Sequence, residues 1–457
     1  MRELLRRNLR FFVLVTLGGL VLRLLFLWKL PAVTADSFVY GDIAKNWLQH
    51  AVYGLTGRTA ITPTYIRLPG YPAFLAMIFA IFGMEHYRAV LVMQIFVDIG
   101  TCFLIADLGR RLIGEKAAKI AFLFAAMCPF FANYAAAALT ETWEIFFTVV
   151  ALDLALVGLQ GSRLLPWLEC GLAIGAAMLL RPDGSLLLFA IGVYLIAARL
   201  WSKQPHRLFY FRAALVMAVS AIVLLLPWTC RNYRTFHTFQ PLAPRYANDI
   251  DTFVPLGFER WVKTWIVDYA STEEVYWSEP GSTIDLDNLP NRAFDSADQR
   301  DETEQLLSDY NQSLRIDPEL DLRFAKLAAD RVQYSRIRYY VWLPLLRVFD
   351  MWLRPRTEIL PCNTRWWEFD EQPQWMALMI VIGAANLLYI GGALLGLIRM
   401  RAVPYLGVLL TFVILRSAFL GSLENPETRY TLECYPVVIL CVAMLFAKNE
   451  TQIADRV

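Results

Sequence analysis

Residues 35–72 read ADSFVYGDIAKNWLQHAVYGLTGRTAITPTYIRLPGYP. They follow the first apolar run, which ends near Leu30, so Asp36 falls at a membrane–water boundary, where an ionisable side chain is a functional candidate by default. Behind it, Tyr40, Ile43, Ala44, Trp47 and Leu48 place apolar residues on one helical face. About ten residues are too few to cross a bilayer, so this helix is expected to lie along its surface. Arg67-Leu-Pro-Gly-Tyr-Pro72 closes the stretch with a cation and two prolines that cannot continue a helix. One acid, one base and an amphipathic platform share a single loop.

The composition says what surrounds that loop. The 457 residues are 57% hydrophobic and only 18% charged, with mean hydropathy +0.43. Soluble domains carry about 25% charged residues, so this is a polytopic membrane protein. A net charge of +2 gives no footprint for a nucleic-acid partner. Of seven cysteines, Cys102, Cys128, Cys170 and Cys441 fall in apolar runs and read as small core residues. Cys230 and Cys362 flank the long polar region and could pair if that region is extracytoplasmic. There is no CxxC and no Cys/His cluster, and His50, His86, His206 and His237 are scattered, so no structural zinc site is expected. The basic, then apolar, N-terminus reads as an anchor rather than a cleaved signal.

Apolar runs of about spanning length cover residues 11–30, 90–108, 117–138, 143–159, 164–180, 185–200, 213–228, 375–398, 403–420 and 432–447. The fold class expected is therefore all-α, with about ten transmembrane helices. Residues 72–82 are apolar but short, and read as a re-entrant or surface helix. Ten spans put every short basic loop on one side: Arg2, Arg6, Arg7 and Arg10, then Arg110, Arg111, Lys116 and Lys119, then Arg163, Arg199, Lys203, Arg207 and Arg212, then Arg399, Arg401 and Lys448. The other side receives the Asp36 loop, Leu139-Thr-Glu141, Arg181-Pro-Asp-Gly184, the long polar region and residues 424–430. Residues 339–353 carry Pro344, Arg347 and Asp350, and an eleventh span there would reverse Arg399 and Arg401, so they read as an interfacial helix. The division expected is a transmembrane module at 1–228 with a first outer loop at 31–89, a mostly helical extracytoplasmic cap at 229–374, and a second transmembrane module at 375–457. Within the cap, residues 301–314 (DETEQLLSDYNQSL) have the pattern of an amphipathic helix.

A series of short motifs runs through these segments in a fixed order. It comprises Asp36, Tyr40-x-x-Ile43-Ala44-x-Asn46, Ala51-x-Tyr53-Gly54 and Arg67-x-Pro-x-Tyr-Pro72, then Leu139-Thr-Glu141, Arg181-Pro182, Pro227-Trp228-x-x-Arg231-Asn232 and Glu427-x-Arg429-Tyr430. In this the chain resembles the polyprenyl-phosphate-sugar-dependent glycosyltransferases of the GT-C superfamily, near the protein O-mannosyltransferase and aminoarabinose-transferase families (glycosyltransferase family 39-like). Residues 229–374 carry little of the resemblance. It implies a membrane enzyme whose active site faces away from the cytoplasm; the lack of a eukaryotic retention signal and the compact chain point to a bacterial inner membrane, with the site toward the periplasm or exterior. Such an enzyme moves a sugar from a polyprenyl-phosphate donor to a lipid, glycan or protein acceptor.

On that resemblance Asp36 is the base that takes the acceptor's proton; the alternative is that it caps the following helix. Asp42 reads as a solvated helix residue. Arg67, Arg181, Arg231 and Arg429, with Tyr430 beside the last, are candidates to hold the lipid phosphate, against ordinary snorkelling at span ends. Glu141 is a candidate for substrate binding, or an acid in a helix first turn. With Glu144 one turn on, it could hold a divalent cation, although the families resembled need no cofactor in general. A single well-placed carboxylate implies displacement with inversion. The rivals are a transporter or flippase of lipid-linked sugars, weakened by the lack of an internal repeat, and a polysaccharide polymerase or ligase using a lipid diphosphate.

Overall fold

The computed structural model describes residues 1–201, 206–250, 252–368, 371–400 and 403–446. Lys203, Arg401, Ala447 and Lys448, which entered the reading of the spans, lie outside the described residues. The chain forms two compact units. The first is Met1–Ile250, Leu388–Val413 and Leu432–Val457; the second is Asp251–Leu387 and Ile414–Thr431.

The first unit opens with α1 (Arg2–Arg7), α2 (Leu9–Lys29) and α3 (Ala35–His50), then a hairpin of β1 (Gly54–Thr56) and β2 (Ile61–Pro63). It continues with α4 (Gly70–Phe82), α5 (Tyr87–Leu112), α6 (Glu115–Ala126), α7 (Pro129–Ala135), α8 (Glu141–Gln160), α9 (Leu165–Leu180), α10 (Ser185–Trp201) and α11 (His206–Phe236). The second unit holds α12 (Leu256–Lys263), α13 (Tyr269–Glu274), α14 (Ala297–Ser313), α15 (Pro318–Tyr334) and α16 (Leu343–Leu353). Helices α17 (Pro373–Arg399) and α18 (Leu406–Gly421) carry residues of both units, and α19 (Tyr435–Met444) belongs to the first. The all-α expectation holds, with one small antiparallel hairpin added.

The number of spans is lower than ten. Among the described residues six helices are long and apolar enough to cross a bilayer: Leu9–Lys29, Tyr87–Leu112, Glu141–Gln160, Pro182–Trp201, Arg207–Phe236 and Pro373–Arg399. The run at 117–138 is not one straight helix. It breaks at Cys128-Pro129 into α6 and α7, bent by 51°, because proline removes a helical hydrogen bond and its ring clashes with the preceding turn. Counted as one span, that pair makes seven. Helices α9 and α18 have 16 residues each and α19 has 10. At about 1.5 Å per residue, 16 residues reach about 24 Å, short of a hydrocarbon core of about 30 Å. The apolar runs are real, but Arg181-Pro182 ends α9, and a 3₁₀ turn at Thr428–Cys434 takes the first residues of the last run. The helices at 70–82, 297–313 and 343–353 form where the residue pattern placed them. The described residues contain no disulfide, so the Cys230–Cys362 pairing is not made.

The break between α6 and α7 is held by charges buried within the spans. Arg23 on α2 is fully buried and forms an ion pair with the buried Asp98 of α5. The same guanidinium donates to the Gly19 carbonyl at 2.9 Å, to the Ala126 carbonyl and, at 3.4 Å, to the Ala125 carbonyl. Ala125 and Ala126 are the last residues of α6, whose carbonyls have no intrahelical partner. Beyond α7 the chain turns back on α2: Ala32 donates to the Ala136 carbonyl and Ala138 to the Ala32 carbonyl, both at 2.9 Å. Gln94 of α5 donates to the Ala137 carbonyl at 2.7 Å and accepts from the Tyr71 hydroxyl at 2.7 Å. Through the Ala32 bonds this network reaches the backbone just before α3.

The second unit has its own core, with Phe258, Trp261, Trp265, Tyr310, Phe324 and Leu327 buried together. Arg331 on α15 lies inside it without strain because each arm has an acceptor: Thr264 Oγ1 at 2.8 Å, the Ala293 carbonyl and Gln299 Oε1 at 2.6 Å, and the Arg292 carbonyl at 2.9 Å. Asp295 accepts a fork from Arg338 and faces Arg331 at 3.5 Å. Burial raises the Asp295 pKa, but the two arginines outweigh it and hold the carboxyl below its ordinary range. A depressed carboxyl contributes stability above its unfolded value, about 3.9, and loses it as pH falls through the folded value. Asp295→Asn is therefore expected to speed amide exchange in α14 and α15 at pH 7 by the equivalent of about 2–3 kcal/mol. The gap to wild type should shrink below about pH 4, and a gap independent of pH would refute the ion-pair account.

Candidate active site

The site begins with how α3 starts. Thr34 is its N-cap, and Thr34 and Ser37 satisfy each other in a capping box, with the Thr34 amide donating to Ser37 Oγ at 2.9 Å. The capping role is thus filled, and Asp36 is not the cap. Its carboxylate instead accepts from Arg67 Nη2 at 2.9 Å. Both side chains are partly exposed, 32% for Asp36 and 23% for Arg67, so the pair is open to a ligand.

Arg67 reaches Asp36 because the intervening loop is pinned at several points. Asp42 accepts from the Thr56 amide at 2.6 Å and from Thr56 Oγ1 at 2.7 Å, and Asn46 donates to the Gly54 carbonyl at 3.0 Å. Asp42 therefore ties the hairpin to α3 and is not merely solvated. The Tyr53 hydroxyl donates to the Arg67 carbonyl at 2.9 Å. Arg231 of α11 donates to the Thr64 and Tyr53 carbonyls, both at 2.7 Å, and its guanidinium lies 5.1–5.2 Å from the ring centroids of Tyr53, Trp228 and Phe236. Its donors are engaged by loop backbone, so the structure makes Arg231 a clamp on the loop.

Tyr40, one turn beyond Asp36, is the link to the next charges. Its ring lies 5.6 Å from the Arg67 guanidinium and packs edge-on against Tyr71 at 5.2 Å. Burial pushes its hydroxyl up to about 12, and Arg67, Asp36, Arg181 and Glu144 all act on it. Two acid–arginine groups thus share one tyrosine. In the second, Arg181 Nε is 3.3 Å from Asp183 and 3.7 Å from Glu144. Arg181 closes α9, and Glu144 is in the first turn of α8, where the helix dipole favours an acid. Glu144 is also hydrogen-bonded to Glu433, just before α19. Glu141, in the same turn as Glu144, is buried. Tyr40, Asp183 and Glu433 were not singled out as site residues from the sequence. Tyr40 read as one more apolar residue of an amphipathic face, Asp183 appeared only within the Arg181-Pro-Asp-Gly184 stretch that ends a span, and Glu433 sits in an apolar run without a motif.

Arg429 and Tyr430 belong to the second unit. Arg429 pairs with Glu427 at 2.5 Å and lies 5.4 Å from the Tyr430 ring, and the Tyr430 hydroxyl donates to the same Glu427. Tyr269 of that unit is buried and feels Glu427, Glu273, Glu358 and Arg429; burial first, then the carboxylates, raise its pKa well above the ordinary value. Among the described residues no three His, Cys, Asp or Glu side chains gather closely enough to hold a metal ion.

With this geometry in hand, comparison with known proteins is informative. A family model for dolichyl-phosphate-mannose-protein mannosyltransferase matches residues 63–228. That span includes Arg67, Glu141 and Arg181, and it stops short of Asp36, Arg231 and Arg429. The oligosaccharyltransferase AglB from Archaeoglobus fulgidus, solved with an inhibitory peptide and a dolichol-phosphate, matches 99% of this chain at 14% identity and TM-score 0.52. The chain spans 51% of that protein's length. The same enzyme tethered to an acceptor peptide with an NVT sequon matches 95% of the chain at 13% identity, over 49% of its own length, with TM-score 0.52. ArnT from Cupriavidus metallidurans bound to undecaprenyl phosphate matches 95% at 14% identity, over 77% of its own length, with TM-score 0.43. No curated protein matches the chain by sequence. The chain is similar to the GT-C glycosyltransferases. The likeness to AglB is one of fold, and the sequence likeness is confined to the part of the first unit that carries Arg67 and Arg181.

The clamp gives a direct test of how the loop is held. Arg231→Gln removes two charge-assisted bonds, each contributing about 1.5–3 kcal/mol. Amides of the hairpin, Thr56 and Thr64 among them, are expected to exchange at least tenfold faster, while α8 and α9 stay unchanged. Equal protection in variant and wild type would refute the clamp.

Proposed function

We propose that this multi-pass membrane protein is a glycosyltransferase. It transfers a sugar from a polyprenyl-phosphate donor to an acceptor hydroxyl or amine at the extracytoplasmic face of a bacterial inner membrane. The observation that carries the reading is the Asp36–Arg67 pair, left partly exposed by a helix capped without Asp36 and joined through Tyr40 to Arg181. It is supported by the family model over residues 63–228, and by a fold like that of an enzyme solved with a dolichol-phosphate.

Asp36 is the general base. The acceptor's lone pair forms the new bond to the anomeric carbon, the carbon–oxygen bond to the phosphate breaks, and the proton goes to Asp36. The electron pair leaves with the lipid phosphate, which Arg67 and Arg181 stabilise. Tyr40 keeps its proton across the working pH range, since burial raises it to about 12, and it stands as a neutral group within the field of both arginines. With Asp36 acting as base rather than as nucleophile, the transfer is a single displacement and inverts the anomeric centre. Glu141, Arg429 and Tyr430 are kept as candidates for binding the acceptor or the donor's sugar, and Arg231 acts through the loop.

The test is consumption of a polyprenyl-phosphate sugar by the full-length protein in membranes with an extract of acceptors. Wild type is expected to release polyprenyl phosphate, and Asp36→Asn to lose about 10²–10⁴-fold in rate while still binding donor. Wild-type activity in Asp36→Asn would remove the base role. Binding and movement of the donor without its consumption, by both proteins, would make the protein a carrier.

A further inference from the structure

The first unit contains a cavity that the catalytic reading does not use. It has a volume of about 430 Å³ and lies between the C-terminal end of α2 and the N-terminal end of α5. Leu27, Trp28, Pro31, Val33 and Leu91 give it an apolar lining, and Tyr87 and Arg88 complete it. Both helices are spans, so the cavity opens where a span meets the membrane boundary.

Its rim is cationic. Arg88 is exposed in the first turn of α5, and the Lys29 ammonium sits 3.8 Å from the Trp28 ring. The nearby acid Glu85 is paired with Lys45 at 3.0 Å. The positive end of the α5 dipole adds to the same side. An apolar slot with two cations at a membrane boundary matches an acyl chain carrying an anionic headgroup. If a methylene takes about the 30 Å³ of a liquid water, the cavity holds roughly fourteen of them. That suits one fatty-acyl chain.

Tyr87 connects the cavity to the candidate active site. Its hydroxyl donates to the Ser37 carbonyl at 3.2 Å, and its ring packs edge-on against Phe38 and Phe79 at 6.1 and 5.5 Å. Gly41 makes room for it, since a Cβ there would fall 1.9 Å from the Tyr87 oxygen. One side of Tyr87 therefore lines the cavity while its tip holds the first turn of α3, beside Asp36.

We propose that this cavity binds one acyl chain of an anionic phospholipid, with its phosphate on Arg88 and Lys29, and that the bound lipid braces the Asp36 turn through Tyr87. The site stands independently of the catalytic reading. The full-length protein is placed in phosphatidylcholine nanodiscs doped with phosphatidylglycerol, and retained lipid is counted by native mass spectrometry. One phosphatidylglycerol is expected to be retained in preference to phosphatidylcholine. Lys29→Gln and Arg88→Gln are each expected to weaken retention about fivefold, at about 1 kcal/mol per cation. Val33→Trp keeps both cations and fills the slot, and is expected to lose the lipid while still melting like wild type. Amides of the first turn of α3 should exchange more slowly when phosphatidylglycerol is present. Retention without headgroup preference, or retention undiminished in Val33→Trp, would overturn the site. Displacement of the lipid by added polyprenyl phosphate would assign the slot to the donor's chain instead. Exchange in α3 indifferent to the lipid would overturn the bracing.

Discussion

The buried pair of Arg23 and Asp98 is the constraint on which the first unit depends. Neither charge is stable in a span alone, and removing one partner of such a pair costs about 3–5 kcal/mol. Their union does more than neutralise charge. It leaves guanidinium donors for the carbonyls of Ala125 and Ala126 at the end of α6, where Pro129 has no N–H to offer. A broken span inside a bilayer is tolerated only where its freed backbone groups are satisfied by protein. Because the break is satisfied, α7 can turn the chain so that residues 136–138 bond to Ala32. Ala32 is two residues from the Thr34 cap. The direction of α3, and so of Asp36, is inherited from an ion pair between α2 and α5.

A second constraint acts from the other end of the loop. The 16 residues between α3 and Arg67 would be free to wander without Arg231, Asp42 and Asn46. Each of these answers a backbone group of the hairpin, as buried polar backbone requires. Arg231 shows why residue type underdetermines role. An arginine at a membrane boundary suits phosphate, but it suits two backbone carbonyls and three aromatic rings equally well. Only the positions of Tyr53 and Thr64 decide between them, and those are set by chain folding that no local pattern encodes.

The parts of the fold legible in the sequence were those with a local cause. The surface helix at 35–50, the short apolar helix at 70–82 and the amphipathic helix at 297–313 follow from periodicity and from Gly and Pro. The span count was less legible, since hydropathy measures how apolar a run is and not where its helix stops. The run at 117–138 is apolar throughout, yet Pro129 divides it. Arg23 and Asp98 are mid-run charges inside long apolar runs, 75 residues apart, with no local sign that they meet. At the site, Asp36 and Arg67 were legible because they share one loop. Glu144, Asp183 and Glu433 come from three segments, and their grouping is a property of helix packing.

On the glycosyltransferase reading, the pairing of Asp36 with Arg67, and of Asp183 and Glu144 with Arg181, has a consequence for the order of events. Arg67 lies against Asp36 at 2.9 Å, on the side of the carboxylate that the acceptor's proton must reach. A lipid phosphate offers Arg67 a more highly charged, bidentate partner. As the guanidinium turns to the phosphate, the Asp36 carboxylate is released to accept the acceptor's proton. Arg181 stands in the same relation to Asp183 and Glu144. Tyr40, protonated and in reach of both groups, can follow the charge without carrying one. The same ion pairs that keep the empty site stable then couple donor binding to activation of the base, and an unpaired Asp36 could not provide that coupling.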